Sequence, residues 1–339
     1  MSGGPAAHSP VSVLQVMRRP FTSRDHSIEG LFETVRAHLP SDVRAEAAQV
    51  PRPSQGVVNR LVNLAWMRTH RTPITHITGD VTYLAAALPR HGSVITIHDT
   101  GMEQRSPLSQ QLFRYAWIRM PASRAERVTV VSDGVRDAVL EIAKVDPAKV
   151  TVIPNCVDPM FVPPAERPTD GPPVVLQVGT SPNKNLDRVA SALSGLDCEL
   201  HVIGPLDGEQ RAMLEHRRIR YRVSTNLPRS DVVRAYQQAS LVLFASTFEG
   251  FGMVILEAQA VGCPVITSDL DPMATVAGGG ACLVDPFHVD SIREGVRRTL
   301  GDSGFRDQLC RRGKDNVAQY SAVAIAAQYA SLYREMAGA

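Results

Sequence analysis

The chain has 339 residues, 44% hydrophobic and 21% charged, with a formal net charge of +2. This suits a globular protein of two ordinary domains, each burying its own core, and argues against the clustered basic face that a nucleic-acid partner needs. The five cysteines (Cys156, Cys198, Cys263, Cys282, Cys310) are odd in number and contain no C-x-x-C pair, which speaks against a disulfide framework or a zinc site and predicts reduced thiols in the cytoplasm.

The first residues, Met1 to Pro5, carry no charged-then-apolar leader. Short β-rich runs then alternate with amphipathic stretches, the pattern of βαβ units and parallel sheets. In the first half the predicted strands are Val11 to Val16, Ile74 to Ile77, Val94 to Ile97, Val128 to Val131 and Val150 to Ile153. The loop after the first of them holds His26-Ser27-Ile28-Glu29-Gly30. The Val94 run ends in His98 and Asp99, the aspartate at a position suited to a turn or helix cap. Between 110 and 127, Leu112, Phe113, Tyr115, Trp117, Ile118 and Met120 mix with Arg114, Arg119, Arg124 and Arg127. Two readings stand for this stretch: peripheral contact with an anionic membrane at its inner face, or a half-buried helix with basic flanks. The longest apolar runs, such as Tyr83 to Leu88, are too short to span a bilayer.

Residues Asp158 to Pro173, rich in proline and acid, read as a linker. Beyond it the predicted strands are Val174 to Val178, Leu200 to Ile203, Leu241 to Phe244 and Val265 to Thr267, and Gln319 to Met336 has a helical pattern. The expected fold is therefore α/β, with two doubly wound parallel-sheet domains. In sheets of this kind ligands bind beyond the carboxyl ends of the strands.

Two loops carry the chemistry. The Val174 strand runs into Gly179-Thr180-Ser181-Pro182-Asn183-Lys184-Asn185-Leu186. A lysine one loop beyond a buried strand is placed to neutralise a diphosphate as a point charge. The second is Ser246-Thr247-Phe248-Glu249-Gly250-Phe251-Gly252-Met253, followed by an apolar helical pattern containing Glu257, eight positions after Glu249. The glycines keep Glu249 on a loop and leave Glu257 in the helix. The amides of Phe251, Gly252 and Met253 then form a helix N-terminus suited to an anion. Asp269-Leu270-Asp271 follows a strand and reads as a turn rather than a metal site.

From Glu249 to Pro286 the sequence resembles the E-x7-E region of the family 4 retaining glycosyltransferases, which have the GT-B fold. The resemblance implies a cleft between two Rossmann-like domains: an acceptor-side domain (1–160), a nucleotide-sugar domain (161–318), and a final helix (319–339) crossing back. It also implies that Lys184, with Gly250 to Met253, grips the donor diphosphate, that Glu249 holds the donor sugar and Glu257 the ribose, and that His98 faces the sugar. Thr180 stands where the family usually has a clamp arginine, which leaves Arg188 or Arg229 to supply it. His26 and Ser27 replace a glycine pair, and Cys156 replaces the glycine of an I-P-N-G-V-D run; no neighbouring His or cation marks Cys156 as a nucleophile.

The implied activity is a metal-independent, retaining hexosyltransferase, moving a sugar from a UDP- or GDP-linked donor to a hydroxyl acceptor in glycan, glycolipid or glycosylated-metabolite synthesis, with no resident cofactor. A sugar-nucleotide 2-epimerase and a catalytically degenerate sugar-nucleotide-binding scaffold are the alternatives. A nicotinamide dehydrogenase is disfavoured, because no strand is followed by G-x-G-x-x-G.

Overall fold

A computed structural model of the chain describes residues 10–19, 27–101, 107–167 and 171–338. It forms two compact units, Met1–Cys156 with Ala322–Ala339, and Val157–Ser321. Residues 157–160 and 319–321 thus group with the second unit.

Unit 1 holds six parallel strands: β1 (Val11–Met17), β2 (Val43–Gln49), β3 (Ile74–Ile77), β4 (Ser93–Ile97), β5 (Arg127–Val130) and β6 (Val150–Val152), in the order β2-β1-β3-β4-β5-β6. Unit 2 holds β7 (Val174–Val178), β8 (Glu199–Ile203), β9 (Tyr221–Ser224), β10 (Leu241–Phe244), β11 (Val265–Ser268) and β12 (Cys282–Val284), in the order β12-β11-β10-β7-β8-β9. The second order is that of the dinucleotide-binding fold. Strand order reverses between β1 and β3 in unit 1, and between β7 and β10 in unit 2.

Nine strands fall on the predicted runs, and β2, β9 and β12 do not. All three are sheet edges. Every residue of β3, β4, β10 and β11 is buried, so these strands are rich in apolar residues, and polar members such as His76, Thr96 and Thr267 are hydrogen-bonded. An edge strand such as Val43–Gln49, with its Arg44 and Glu46, keeps half its residues in water and loses that signal.

The helix Ala322–Ala337, begun by a 3-10 turn at Ala318–Tyr320, completes the unit 1 core. Its Ile325, Ala326, Tyr329, Ala330 and Tyr333 pack with Val13, Phe32, Val35, Ile74 and Val94. A buried chain of hydrogen bonds ties it to the sheet. Gln15 Nε2 donates to the Tyr333 hydroxyl at 3.2 Å, which lies 2.7 Å from His76 Nδ1. His76 Nε2 is 2.7 Å from Thr96 Oγ1, itself 2.7 Å from Thr129 Oγ1. Gln15 donates to the tyrosine oxygen, so the tyrosine proton is left for His76 Nδ1 and the imidazole is held neutral.

Burial, helped by the nearby His98, pushes the His76 pKa down to about 3 from its ordinary 6.5. A lowered folded value means that protonation favours the unfolded chain. The contribution is intact above pH 6.5 and is lost as pH falls toward 3, on the order of 3–5 kcal/mol when complete. Thermal unfolding of unit 1 should therefore soften on acidification through this window, and His76→Gln should flatten the slope. An equally steep slope in the variant would contradict this role.

The 110–127 stretch is helical as far as Arg124. It runs through Pro107–Phe113, a π-helical Arg114–Arg119 and Met120–Arg124. Ile118 and Ala122 are buried while Leu112 and Tyr115 face solvent, so it is half-buried as one of the two readings had it. Among the described residues no helix is long and apolar enough to cross a membrane.

Candidate functional site

The strand-order reversal of unit 2 brings the loops after β7 and β10 together, and both chemical segments lie on them. Lys184 ends the 3-10 turn Pro182–Lys184. Its side chain crosses Gly179, whose φ is +91° and where a Cβ would come within 3.0 Å of Lys184 Cε. Only glycine leaves that path open. Lys184 Nζ then reaches Glu249 Oε1 at 2.6 Å and lies 4.7 Å from the Phe244 ring.

Glu249 is on a loop, as expected, and its two oxygens are treated differently. Oε1 meets Lys184, Ser246 Oγ at 2.6 Å and Asn183 Nδ2 at 3.2 Å. Among the described residues no group bonds to Oε2. Asn183 and fully buried Ser246 are positioning residues that the sequence did not single out, although both lie in the quoted segments; a short polar residue beside each motif was the available signal.

Gly252 caps the helix Met253–Ala260 with a φ of +107°. The first bond of this turn is Ile255 N–H to Gly252 O, at 3.0 Å. Among the described residues none accepts from the amides of Phe251, Gly252 or Met253, and the first two residues are buried. These donors require an acceptor, and an anion supplies one. The cradle thus sits on the same loop as Glu249.

Glu257 lies inside this helix and is buried. Tyr236 donates its hydroxyl to Oε2 at 2.5 Å and Arg229 donates to Oε1 at 3.1 Å. Burial raises the Glu257 pKa, against the opposing pull of Arg229 and Tyr236. Arg229 also bonds to Asp158 at 3.1 Å and stacks on Phe161 at 4.6 Å. It is therefore held between two carboxylates. Arg188 bonds to Asn185 Oδ1 at 3.0 Å and lies 5.8 Å from the Phe287 ring, with no carboxylate partner among the described residues. The Thr180 hydroxyl donates to Pro205 O at 2.6 Å, which spends the proton a diphosphate contact would use.

In unit 1, His98 Nε2 donates to Thr78 O at 2.8 Å, leaving Nδ1 as an acceptor in the neutral ring. Burial, chiefly, lowers its pKa. At the strand-order reversal Arg18 bridges Glu29 Oε1 at 3.0 Å and Asp80 Oδ2 at 2.6 Å. Glu29 Oε2 is buried, with no partner among the described residues. A cavity of about 580 Å³ opens there, with Arg18, Asp80, Thr82, His98, Asp99 and Trp117 among its walls. Neither Arg18 nor Asp80 stands out in the sequence. His26 lies outside the described residues.

Among the described residues no disulfide forms, and burial pushes the Cys263 thiol up to about 12. Asp271 accepts from Thr275 at 2.6 Å in a turn after β11. Among the described residues no three His, Cys, Asp or Glu side chains cluster as a metal site would require.

Comparison with known families adds a decisive observation. Residues 13–161 match the family described as Glycosyltransferase Family 4, and residues 162–316 match Glycosyl transferases group 1. The chain belongs to the family 4 glycosyltransferases. Among curated relatives, O-antigen chain mannosyltransferase B of Escherichia coli is 25% identical over 284 residues, covering 76% of this chain and 73% of the relative. Two further relatives match at 35% and 33% identity, but over only 27% and 26% of their own lengths. Among solved structures, sucrose-phosphate synthase from Thermosynechococcus elongatus superposes with a TM-score of 0.77 at 19% identity, covering 96% and 99% of the two chains. HepE of Anabaena, solved with UDP-glucose, gives 0.74 at 16% identity, covering 96% and 99%. The fold of this glycosyltransferase, two doubly wound α/β units, is that of the GT-B class.

Proposed function

We propose that this glycosyltransferase transfers a sugar from a nucleoside-diphosphate sugar to a hydroxyl acceptor, with retention of anomeric configuration. The observation that carries the reading is the division of labour on Glu249: Oε1 is held by Lys184, Ser246 and Asn183, and Oε2 is left open beside a helix N-terminus with unanswered amides. In this reading the donor diphosphate rests on Lys184 Nζ and the amides of Gly250 to Met253, with Arg188 as the second cation in place of Thr180. Glu249 Oε2 accepts from donor-sugar hydroxyls. Glu257, with spare lone pairs beyond Tyr236 and Arg229, accepts from the ribose, and His98 Nδ1 accepts from the sugar.

The sugar–phosphate C–O bond breaks and the acceptor oxygen bonds to the same face of the anomeric carbon. The acceptor proton passes to the departing phosphate oxygen. Catalysis is then chiefly charge stabilisation and positioning, and no metal or resident cofactor has a role in it. The UDP-glucose complex of the structurally similar HepE supports a nucleotide-sugar donor.

A thermal-shift panel of UDP, GDP, ADP and dTDP with their sugars tests the donor class. At about 100 times its dissociation constant, the correct nucleotide adds about 2.7 kcal/mol to stability. NMR of the product's anomeric proton tests retention. No shift with any nucleotide, or an inverted product, would overturn the reading; binding without turnover would leave a sugar-nucleotide-binding scaffold.

A further inference from the structure

One helix of unit 1 is turned inside out. Gly56–Thr69 buries Asn63 and Met67 and exposes Val57, Val58, Leu61 and Val62, between 41% and 74%. At about 100° per residue, these four span an arc of roughly 140°, with exposed Arg68 on the same arc further along. The inward position of Asn63 is specific. Its side chain bonds to both backbone groups of Arg52, at 3.0 and 2.9 Å, and to the Tyr83 hydroxyl at 3.1 Å. The core side of the helix is satisfied, so the aliphatic face is the one left uncovered.

Charge identifies what covers it. From Ala47 to Gly79 the chain has no Asp or Glu but carries Arg52, Arg60, Arg68 and Arg71. The Arg60 guanidinium lies 4.7 Å from the Trp117 ring, which joins this helix to the Pro107–Arg124 helical run. That run is also free of acids, and its Leu112 and Tyr115 are 64% and 61% exposed. The whole chain is only +2, so this run of arginines without acids along the two helical stretches is local, although Asp80 and Asp99 lie in the adjoining cavity wall. Aliphatic side chains ringed by arginines match the headgroup boundary of an anionic bilayer.

We propose that unit 1 docks on an anionic lipid bilayer through Val57, Val58, Leu61 and Val62, with Leu112 and Tyr115 beside them. Arg60, Leu112 and Tyr115 also line the unit 1 cavity. On the transferase reading above, that cavity takes the hydroxylated head of an amphiphilic acceptor drawn from the same bilayer.

Co-sedimentation with phosphatidylcholine vesicles, with and without phosphatidylglycerol, tests the docking without requiring transfer. The full chain should pellet with the phosphatidylglycerol vesicles and be released by salt. Val58→Glu with Leu61→Glu should weaken partition about tenfold or more, and Arg68→Ala about fivefold. Both positions are exposed, so unchanged thermal unfolding and an unchanged nucleotide shift show an intact protein and keep the donor reading separate. No pelleting, equal pelleting of the double variant, or a dimer that the double variant turns into monomer would overturn the proposal. Transfer to a detergent-dispersed amphiphile, but not to its soluble head alone, is expected for the acceptor; the reverse preference would overturn that part.

Discussion

Replacing Lys184 by methionine is expected to lower sugar transfer by roughly 10²- to 10³-fold, the loss seen when a positioned charge-stabilising donor is removed from a transition state. Methionine keeps much of the aliphatic stem that crosses Gly179, so the loop remains packed and the change is confined to the charge. Two consequences follow from the single ammonium. The leaving diphosphate loses its cation, and Glu249 Oε1 keeps only Ser246 and Asn183. Nucleotide binding should weaken by about 1.5–3 kcal/mol, the range for a hydrogen bond to a charged group. Arginine at this position should restore little, because its planar fork does not reproduce a compact ammonium. Steady-state transfer and nucleotide titration measure both effects; transfer within about threefold of the original protein would remove Lys184 from the chemistry. Glu249→Ala belongs in the same experiment. It should abolish transfer while leaving some nucleotide affinity, since the diphosphate is assigned to other groups.

The second large effect concerns stability. Tyr333→Ala should destabilise unit 1 by about 3–5 kcal/mol through the cavity it opens. A further 1–3 kcal/mol is expected for each buried polar group left without its partner. Tyr333 is fully buried, and its hydroxyl serves both Gln15 and His76. Typical domain stabilities are about 5–15 kcal/mol, so the variant should approach unfolding of unit 1. Tyr333→Phe, which keeps the ring, should lose only the hydrogen-bond part. Hydrogen exchange at the amides of β1, β3 and β4 reads this directly. If Tyr333→Ala left their protection unchanged, the terminal helix would not be part of that core.

Both predictions show where the sequence was readable. The pairing of Lys184 with the Glu249 loop was foreseeable, because each lies just beyond a strand buried on both faces and such strands announce themselves as apolar runs. The partners of those residues were not. Thr180 stands in the clamp position, and its hydroxyl turns to Pro205 O. Arg229 was a candidate clamp, and its two carboxylate partners and the Phe161 ring could not be read from the chain. Ser246 and Asn183 looked like ordinary loop residues until three donors were found converging on one oxygen.

By itself the sequence determined the central strands of both sheets, the helix Met253–Ala260 with its glycine entry, and the loop position of Glu249. These are local properties: a run of apolar residues, or a glycine before a helical pattern, acts over a few positions of chain. Only the tertiary structure decided which oxygen of Glu249 is open, which residues hold Arg229, where the edge strands pair, and that Tyr333 closes the core of unit 1. Those outcomes depend on groups far apart in the chain, 65 positions for Lys184 and Glu249 and 318 for Gln15 and Tyr333. Directional hydrogen bonds between such groups exist only once folding has placed them within about 3 Å of each other.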